Sequence, residues 1–303
     1  MAIMGTGHFG KALWPGINAW YGQKYKEWPV RYTSLFETHK SSKHYEEDVG
    51  VSGMGLAQVV AEGEATPFDS ERQAFVTRYT HVKYGLGFVI TKELYEDDLY
   101  SIAGERRAKG LAKSMRQTKE TVGANVYNRA FNSSYLGGDG LELCSLLHAN
   151  FAGGTWANEL STAADLSEAS LEQACIDIRK LLDDRGLKAA IMPKSLIIPV
   201  DLEFEAERIL KTPYRVGTAD NDINALKTMG KFPGGVIVNE WLTDTDAWFI
   251  RTDADHGMKY FTRVEDSFTD DNDFDTDNAK YKARARYSFG WSDPRGLFGS
   301  PGA

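Results

Sequence analysis

One run of residues limits the possible folds more than any other. From Ser101 to Phe131 there is no proline, and Leu111, Met115, Val122 and Val126 return to one face of a 3.6-residue period, with Ala108, Ala112 and Ala130 between them. At about 1.5 Å per residue this predicts a helix about 45 Å long, enough to serve as the backbone of a whole domain. Gly104, Gly110 and Gly123 weaken it locally. Arg106, Arg107, Lys109, Lys113, Arg116 and Lys119, set against Glu105 and Glu120, read first as a solvated face and second as a face for anionic partners.

Such a helix needs a sheet to pack on, and the C-terminus supplies one. Tyr281, Ala283, Ala285, Tyr287 and Phe289 alternate with Lys280, Lys282, Arg284, Arg286 and Ser288, the period of a half-buried strand. Its antiparallel partner is Met258 to Asp266, joined through the acidic loop Asp270 to Asn278. After a loop from Asn132 to Asp165, a helix is predicted from Ser167 to Arg185, with Ser167 as N-cap, Leu171, Cys175, Ile178, Leu181 and Leu182 as buried stripe, and Gly186 as stop. Ala189 to Met192 and Leu196 to Ile198 read as strand pieces separated by Pro193; Pro199 opens a helix from Val200 to Lys211. Residues 212–235 read as a loop, and Val236 to Asn239 and Ala247 to Thr252 as strands. Helices and strands in this order give an α+β fold.

Upstream of the long helix, Gly50, Gly53, Gly55 and Gly63 precede a strand-forming stretch from Ala74 to Tyr84, and Gly85 and Gly87 follow it. This predicts a projecting two-stranded hairpin with glycine hinges, an element that is marginal in water unless a partner completes its packing. The first 48 residues are aromatic without helical or strand periodicity: Trp14, Trp20, Tyr21, Tyr25, Trp28, Tyr32, Phe36 and Tyr45 are spread among charges and prolines. An arm this apolar must lie on something, either its own domain or a neighbouring subunit.

The 303 residues carry a formal charge of −8, with 42% hydrophobic and 26% charged side chains, which describes a globular chain and excludes a generally basic nucleic-acid coat. No apolar run is long enough to span a membrane, no secretory signal is read at the N-terminus, and two cysteines, Cys144 and Cys175, make no disulfide framework. Motifs that would carry chemistry fail on context. Gly5, Gly7 and Gly10 match the dinucleotide fingerprint but lack a preceding strand. Asp271 to Lys282 resembles a calcium loop, yet Thr276 stands where glycine belongs and Lys282 where glutamate belongs. Cys144 and His148 could offer zinc two ligands without the rest of a site. No catalytic, cofactor or metal residue is assigned, and a structural role follows.

The order of these elements, with Arg78-Tyr79-Thr80-His81-Val82, Tyr84-Gly85-Leu86-Gly87-Phe88, Arg116-Gln117-Thr118-Lys119-Glu120 and the stretch from Asp271 through Trp291, resembles the major capsid proteins of tailed bacteriophages. Their Johnson fold is shared with herpesvirus shells and encapsulins. The resemblance implies an N-terminal arm (1–48), an extended E-loop hairpin (49–87), a P-domain with its spine helix (88–134), an A-domain (135–254) and strands returning to the P-domain (255–303). It further implies a subunit that assembles with itself into hexamers and pentamers of an icosahedral shell around double-stranded DNA, bound without sequence specificity. A separate scaffolding protein, a portal and a decoration protein are the other partners it suggests, with no membrane, and the shell would be assembled in the host bacterial cytoplasm. The alternative is an encapsulin-like compartment around cargo enzymes. Candidate contacts between subunits are Trp14, Trp20, Trp28, Phe68, Arg72, Phe75, Arg78, Tyr79, Arg215, Asp220, Asn221, Arg284 and Arg286.

Overall fold

The computed structural model of the chain describes residues 10–27, 29–96, 100–150, 153–214, 222–272 and 278–303, with the side chains of 10–18, 95–96, 100–103 and 272 left aside. The elements run α1 (Gly10–Glu27), α2 (Tyr32–Leu35), β1 (Glu37–Lys40), β2 (Tyr45–Val51), β3 (Gln73–Thr80), β4 (Val82–Ile90), α3 (Lys92–Glu96) and α4 (Tyr100–Asn128). Then come β5 (His148–Ala149), β6 (Thr155–Trp156), α5 (Glu168–Lys180), β7 (Pro193–Ile198), α6 (Glu203–Lys211), α7 (Ala225–Met229), β8 (Val236–Val238), β9 (Trp248–Thr252), β10 (Met258–Asn272), β11 (Ala279–Trp291) and β12 (Leu297–Ser300).

The proline-free run is one helix, α4, about 44 Å long. It lies on a four-stranded sheet ordered β1-β10-β11-β4, in which β1 runs parallel to β10 and the other pairs are antiparallel. The predicted alternation in β11 holds: Tyr281, Ala283, Ala285 and Tyr287 are buried while Lys280, Lys282 and Arg284 face solvent. Leu111, Ala112 and Met115 of α4 pack with Tyr260, Ala283, Ala285 and Tyr287 in one core. Gly123 has a use within the helix. A Cβ there would sit 3.3 Å from the Phe289 ring and 3.6 Å from Phe36, so glycine lets two rings lie against the helix axis.

A second sheet, β12-β9-β7-β8, is buried on both faces. Leu196, Ile198, Trp248, Ile250 and Phe298 point to α5 and α6, while Ile197, Phe249 and Leu297 point to the end of α4 at Tyr127 and Ala130. Strand alternation thus makes one sheet the wall between two cores. β12 pairs with β9, so the last strand closes this second sheet and does not return to the sheet under α4, where the sequence reading placed residues 255–303.

Several local expectations are corrected. The N-terminal stretch contains an 18-residue helix, α1, seated on α4 and β10 of its own chain; the irregular look of its aromatics arises because they are shared between two contacts. Helix α5 stops at Lys180, since Leu181 turns extended and residues 181–189 form a bend in which Asp183 holds the backbone of Arg185 and Leu187. Its start at Ser167 is as predicted, with a capping box to Ser170. Pro193 does not separate a pair of strands but begins one, the position in a strand where proline is tolerated. The loop 212–235 contains the short helix α7, capped by Asn224. Gly85 and Gly87 are not hinges but lie inside β4; a Cβ on Gly87 would meet the Tyr281 carbonyl at 2.6 Å, so these glycines let β4 lie flat against β11. The glycine fingerprint at the N-terminus falls outside the described residues except for the backbone of Gly10.

Ala285 is fully buried opposite Tyr84. Ala285→Asp buries a carboxylate without a partner and should lower stability by roughly 2–7 kcal/mol, whereas Arg284→Ala on the exposed face should change it by about 0.5 kcal/mol or less. Thermal melts of the two variants check the register.

Candidate assembly surfaces

The projecting element is the antiparallel ribbon β2–β3, with a β-bulge between Val49 and Val51 and the irregular loop 52–72 at its end. The ribbon begins at Tyr45, five residues earlier than the glycine pattern suggests. Its root is clamped. Tyr79 is buried, its hydroxyl 2.6 Å from Ser292 Oγ and its ring 4.8 Å from Phe261, and it sits directly over Gly290, where a Cβ would come within 2.9 Å. Lys259 Nζ donates to Asp48 on the same face of the ribbon. Gly138 abuts Thr77 closely enough that a Cβ would collide with it.

On the other face of the ribbon, Arg78 pairs with Glu47 at 2.6 Å and covers the Tyr45 ring at 4.4 Å. Val51, Leu56, Val59 and Phe68 then stand in water, Val59 and Phe68 almost completely. The loop is closed by Asp69, which accepts from the amides of Gly55 at 2.7 Å and Ser70 at 2.8 Å and from the Arg185 guanidinium. These contacts hold the Asp69 carboxyl far below the usual carboxylate range, the Arg185 bond contributing most.

The seat of α1 is a second surface. Asp266 on β10 accepts from Lys119 of α4 and from the Tyr25 hydroxyl of α1, and the Arg116 guanidinium lies 4.3 Å over the Tyr25 ring. Burial, reinforced by Asp266, drives the Tyr25 pKa upward, so this hydroxyl keeps the proton it donates. Arg116 and Lys119, read from sequence as part of a solvated face, are therefore buried. The signal was present: Lys119 is four residues after Met115 and three before Val122, on the apolar stripe itself. Arg106, Arg107 and Lys113 do stay exposed.

A third surface surrounds α6 and α7, where Phe204, Ile223 and Met229 are exposed beside a groove of about 470 Å³ lined by Leu210, Leu226 and Phe232.

Of the sequence candidates, Phe68, Arg72, Phe75 and Arg78 are brought together on the ribbon and its loop. Tyr79 does not join them, because it packs inside its own subunit. Trp20 is half-buried against Ile90, Ala108 and Tyr281, and Arg284 and Arg286 lie on the far face of the sheet. Trp28, Arg215, Asp220, Asn221 and the Trp14 side chain fall outside the described residues.

Among the described residues no three His, Cys, Asp or Glu side chains group as metal ligands, and no helix is long and apolar enough to cross a membrane. His148 is held between Asp139 at 2.6 Å and Asn158 at 3.2 Å. Burial raises the Cys144 thiol and pushes Cys175 up to about 11, so neither is a ready nucleophile. Asp271 and Lys282 lie on the paired strands β10 and β11, and residues 273–277 of the calcium-like stretch fall outside the described residues.

The sequence model of the family described as phage capsid protein matches residues 74–299. The chain belongs to the phage capsid protein family. The match covers the ribbon strand β3, the spine helix α4 and both sheets, and it sets the capsid reading above that of an encapsulin-like compartment. No curated protein matches the sequence. Among solved structures, the virus-like particle from Pyrococcus furiosus is 10% identical with a TM-score of 0.52 over 94% of this chain and 97% of that one. The procapsid of bacteriophage JBD30 is 13% identical with a TM-score of 0.51, covering 95% and 75%. The capsid of the native GTA particle is 12% identical with a TM-score of 0.52, covering 89% of each chain. These likenesses concern the fold, and the capsid subunit has the α+β Johnson fold.

One residue at the ribbon root makes this capsid subunit sensitive to pH. His81, between β3 and β4, has its ring nitrogens 2.9 Å from Ser41 Oγ and 3.0 Å from Ser288 Oγ. Burial lowers its pKa below 6.5; Glu46 opposes this, while Arg286, Arg263 and His44 add to it. The unfolded chain then takes up protons before the folded one, so stability should fall as the pH drops through about 6.5. Denaturant melts between about pH 5 and 7.5 should show a shallower pH slope for His81→Gln than for wild type.

Proposed function

We propose that this subunit forms pentamers and hexamers that close into an icosahedral head around double-stranded DNA, in the host bacterial cytoplasm, and that it has no catalytic role. Within that shell, residues 1–48 act as an N-terminal arm, 49–87 as the E-loop, 88–134 as the P-domain and 135–254 as the A-domain, with 255–303 returning chiefly to the P-domain. A separate scaffolding protein, a portal and a decoration protein complete the partners.

The observation that carries the reading is the loop at the end of the ribbon. Leu56, Val59 and Phe68 are 77%, 102% and 99% exposed. Three large apolar side chains held out in water, on a loop joined to the bend after α5 by the polar Asp69–Arg185 pair, call for a surface on another molecule. Arg72 and Arg78 stand exposed along the ribbon, and half-exposed Phe75 lies on its other face with Thr77 and Tyr79. Rings of five and six use heterologous interfaces that close by rotation, and many modest contacts of this kind add up to a stable shell.

Co-expressed with its scaffolding protein, the chain should elute as closed particles of megadalton size and appear as round shells by negative stain. Stable monomers or dimers under every condition would overturn the reading. Replacing residues 54–71 with a short Gly-Ser linker, which spares buried Tyr79 and His81, should leave a cooperative melt within a few degrees of wild type and abolish particles. A particle yield equal to wild type would remove the loop from the assembly contact.

A further inference from the structure

The outward face of the sheet under α4 carries charges that the subunit itself leaves unanswered. Strand register places Lys83 directly opposite Arg286, Gly85 opposite Arg284 and Gly87 opposite Lys282. On the other side of β11, Ser267 stands opposite Arg284 and Thr269 opposite Lys282. Among the described residues, Lys83, Lys282 and Arg284 form no ion pair, and Arg286 reaches the His81 carbonyl at 3.5 Å. Like charges directly across a strand pair repel, and this happens in a chain whose formal charge is −8 and could have supplied carboxylates. The arrangement costs the free subunit stability and returns it when an anion arrives.

The chemistry of that anion can be read from what lies between the cations. Gly85, Gly87, Ser267 and Thr269 lie opposite the cations, half-buried Val264 faces Arg286, and the two glycines leave the β4 side flat, so this stretch has no large apolar anchor. Interfaces between proteins are built around apolar cores, whereas nucleic-acid interfaces are polar and strongly basic. The acidic loop 52–72 of a second copy is the competing occupant, but its exposed Leu56, Val59 and Phe68 would find no apolar seat here. Basic side chains two residues apart on a strand are about 6.6–6.8 Å apart, the axial rise of about two base pairs at about 3.4 Å each.

We propose that Lys83, Lys282, Arg284 and Arg286 form a sequence-independent binding face for the phosphate backbone of double-stranded DNA. The proposal rests on the shell reading above and adds which face meets the genome. Arg284 and Arg286, read from sequence as subunit contacts, are thereby given a different partner.

The test uses the full chain, a fluorescent mixed-sequence duplex of about 30 base pairs, and anisotropy titrations across a range of KCl. Wild type should bind, with log affinity falling linearly against log salt. Lys282→Glu with Arg284→Glu should weaken binding at least about tenfold and reduce the salt slope by about 1–2, while Lys282→Arg with Arg284→Lys should keep both. The conservative pair should melt with wild type, and the charge-reversed pair, which relieves the repulsion, should melt no lower. Absence of wild-type binding at about 50 mM KCl, or equal binding by the charge-reversed variant, overturns the proposal. So does a charge-reversed variant that binds DNA normally but yields no particles with scaffold, which assigns the face to the acidic loop of another copy. Failure of wild type itself to form particles would count against the shell reading and leaves the anisotropy result standing.

Discussion

Lys119 has given up nearly all of its water to sit between a helix, a sheet and the N-terminal segment. Taking an ammonium and a carboxylate out of water costs several kcal/mol per ion, and their attraction repays this only when the geometry is good and further donors are satisfied. Here Asp266 Oδ2 receives both Lys119 and the Tyr25 hydroxyl while its Oδ1 is buried without a hydrogen bond, and the ammonium lies 5.3–5.9 Å from the rings of Tyr25, Tyr32 and Tyr287. The pair fixes where α1 lies on α4 and how far β10 extends beneath it. An all-apolar seat would hold α1 as tightly but would allow it to slide.

The two cores depend on one another through the second sheet. Because β7, β9 and β12 send alternate side chains into each core, neither lobe can shift without repacking both. Arg295 strengthens the junction just before β12. Buried over the Trp156 ring, it donates to the Leu182 carbonyl, to Asn150 and to Asp184, so the chain's last crossing is tied to the bend after α5. The subunit is stiff at its centre, and what it offers to neighbours is carried on appendages.

Periodicity made the long helix and the β10–β11 hairpin legible, because each buries one face against a single neighbour and the pattern survives intact. It failed for α1, whose aromatics divide between the core beneath β10 and the cluster around Ile90, so no single stripe emerges. The glycines of β4 were readable as special but not as to why: a hinge and a close strand approach both demand a missing Cβ. Tyr79 looked like a contact residue because aromatic and exposed-strand signals coincide; its burial depends on Gly290, over two hundred residues away. The ribbon loop was legible through its glycines and apolar residues, whereas the polar clamp at its root consists of long-range pairs such as Asp48 with Lys259 that no local window contains.

That clamp decides where the subunit can absorb misfit. A ring of five and a ring of six differ by about 12° of rotation per subunit, and over the roughly 13 Å of ribbon beyond Thr77 that angle becomes a displacement of about 3 Å. With Tyr79, His81, Asp48 and Thr77 pinned, only the outer half of the ribbon acts as an outrigger and carries the displacement to its end. There the bulge at Val49–Val51 and the left-handed Gly53 open into loop 52–72, whose contour of about 70 Å is far longer than the offset. The slack is stored at the outer end of the outrigger, so one rigid sequence can reach two differently placed neighbours by re-draping a loop.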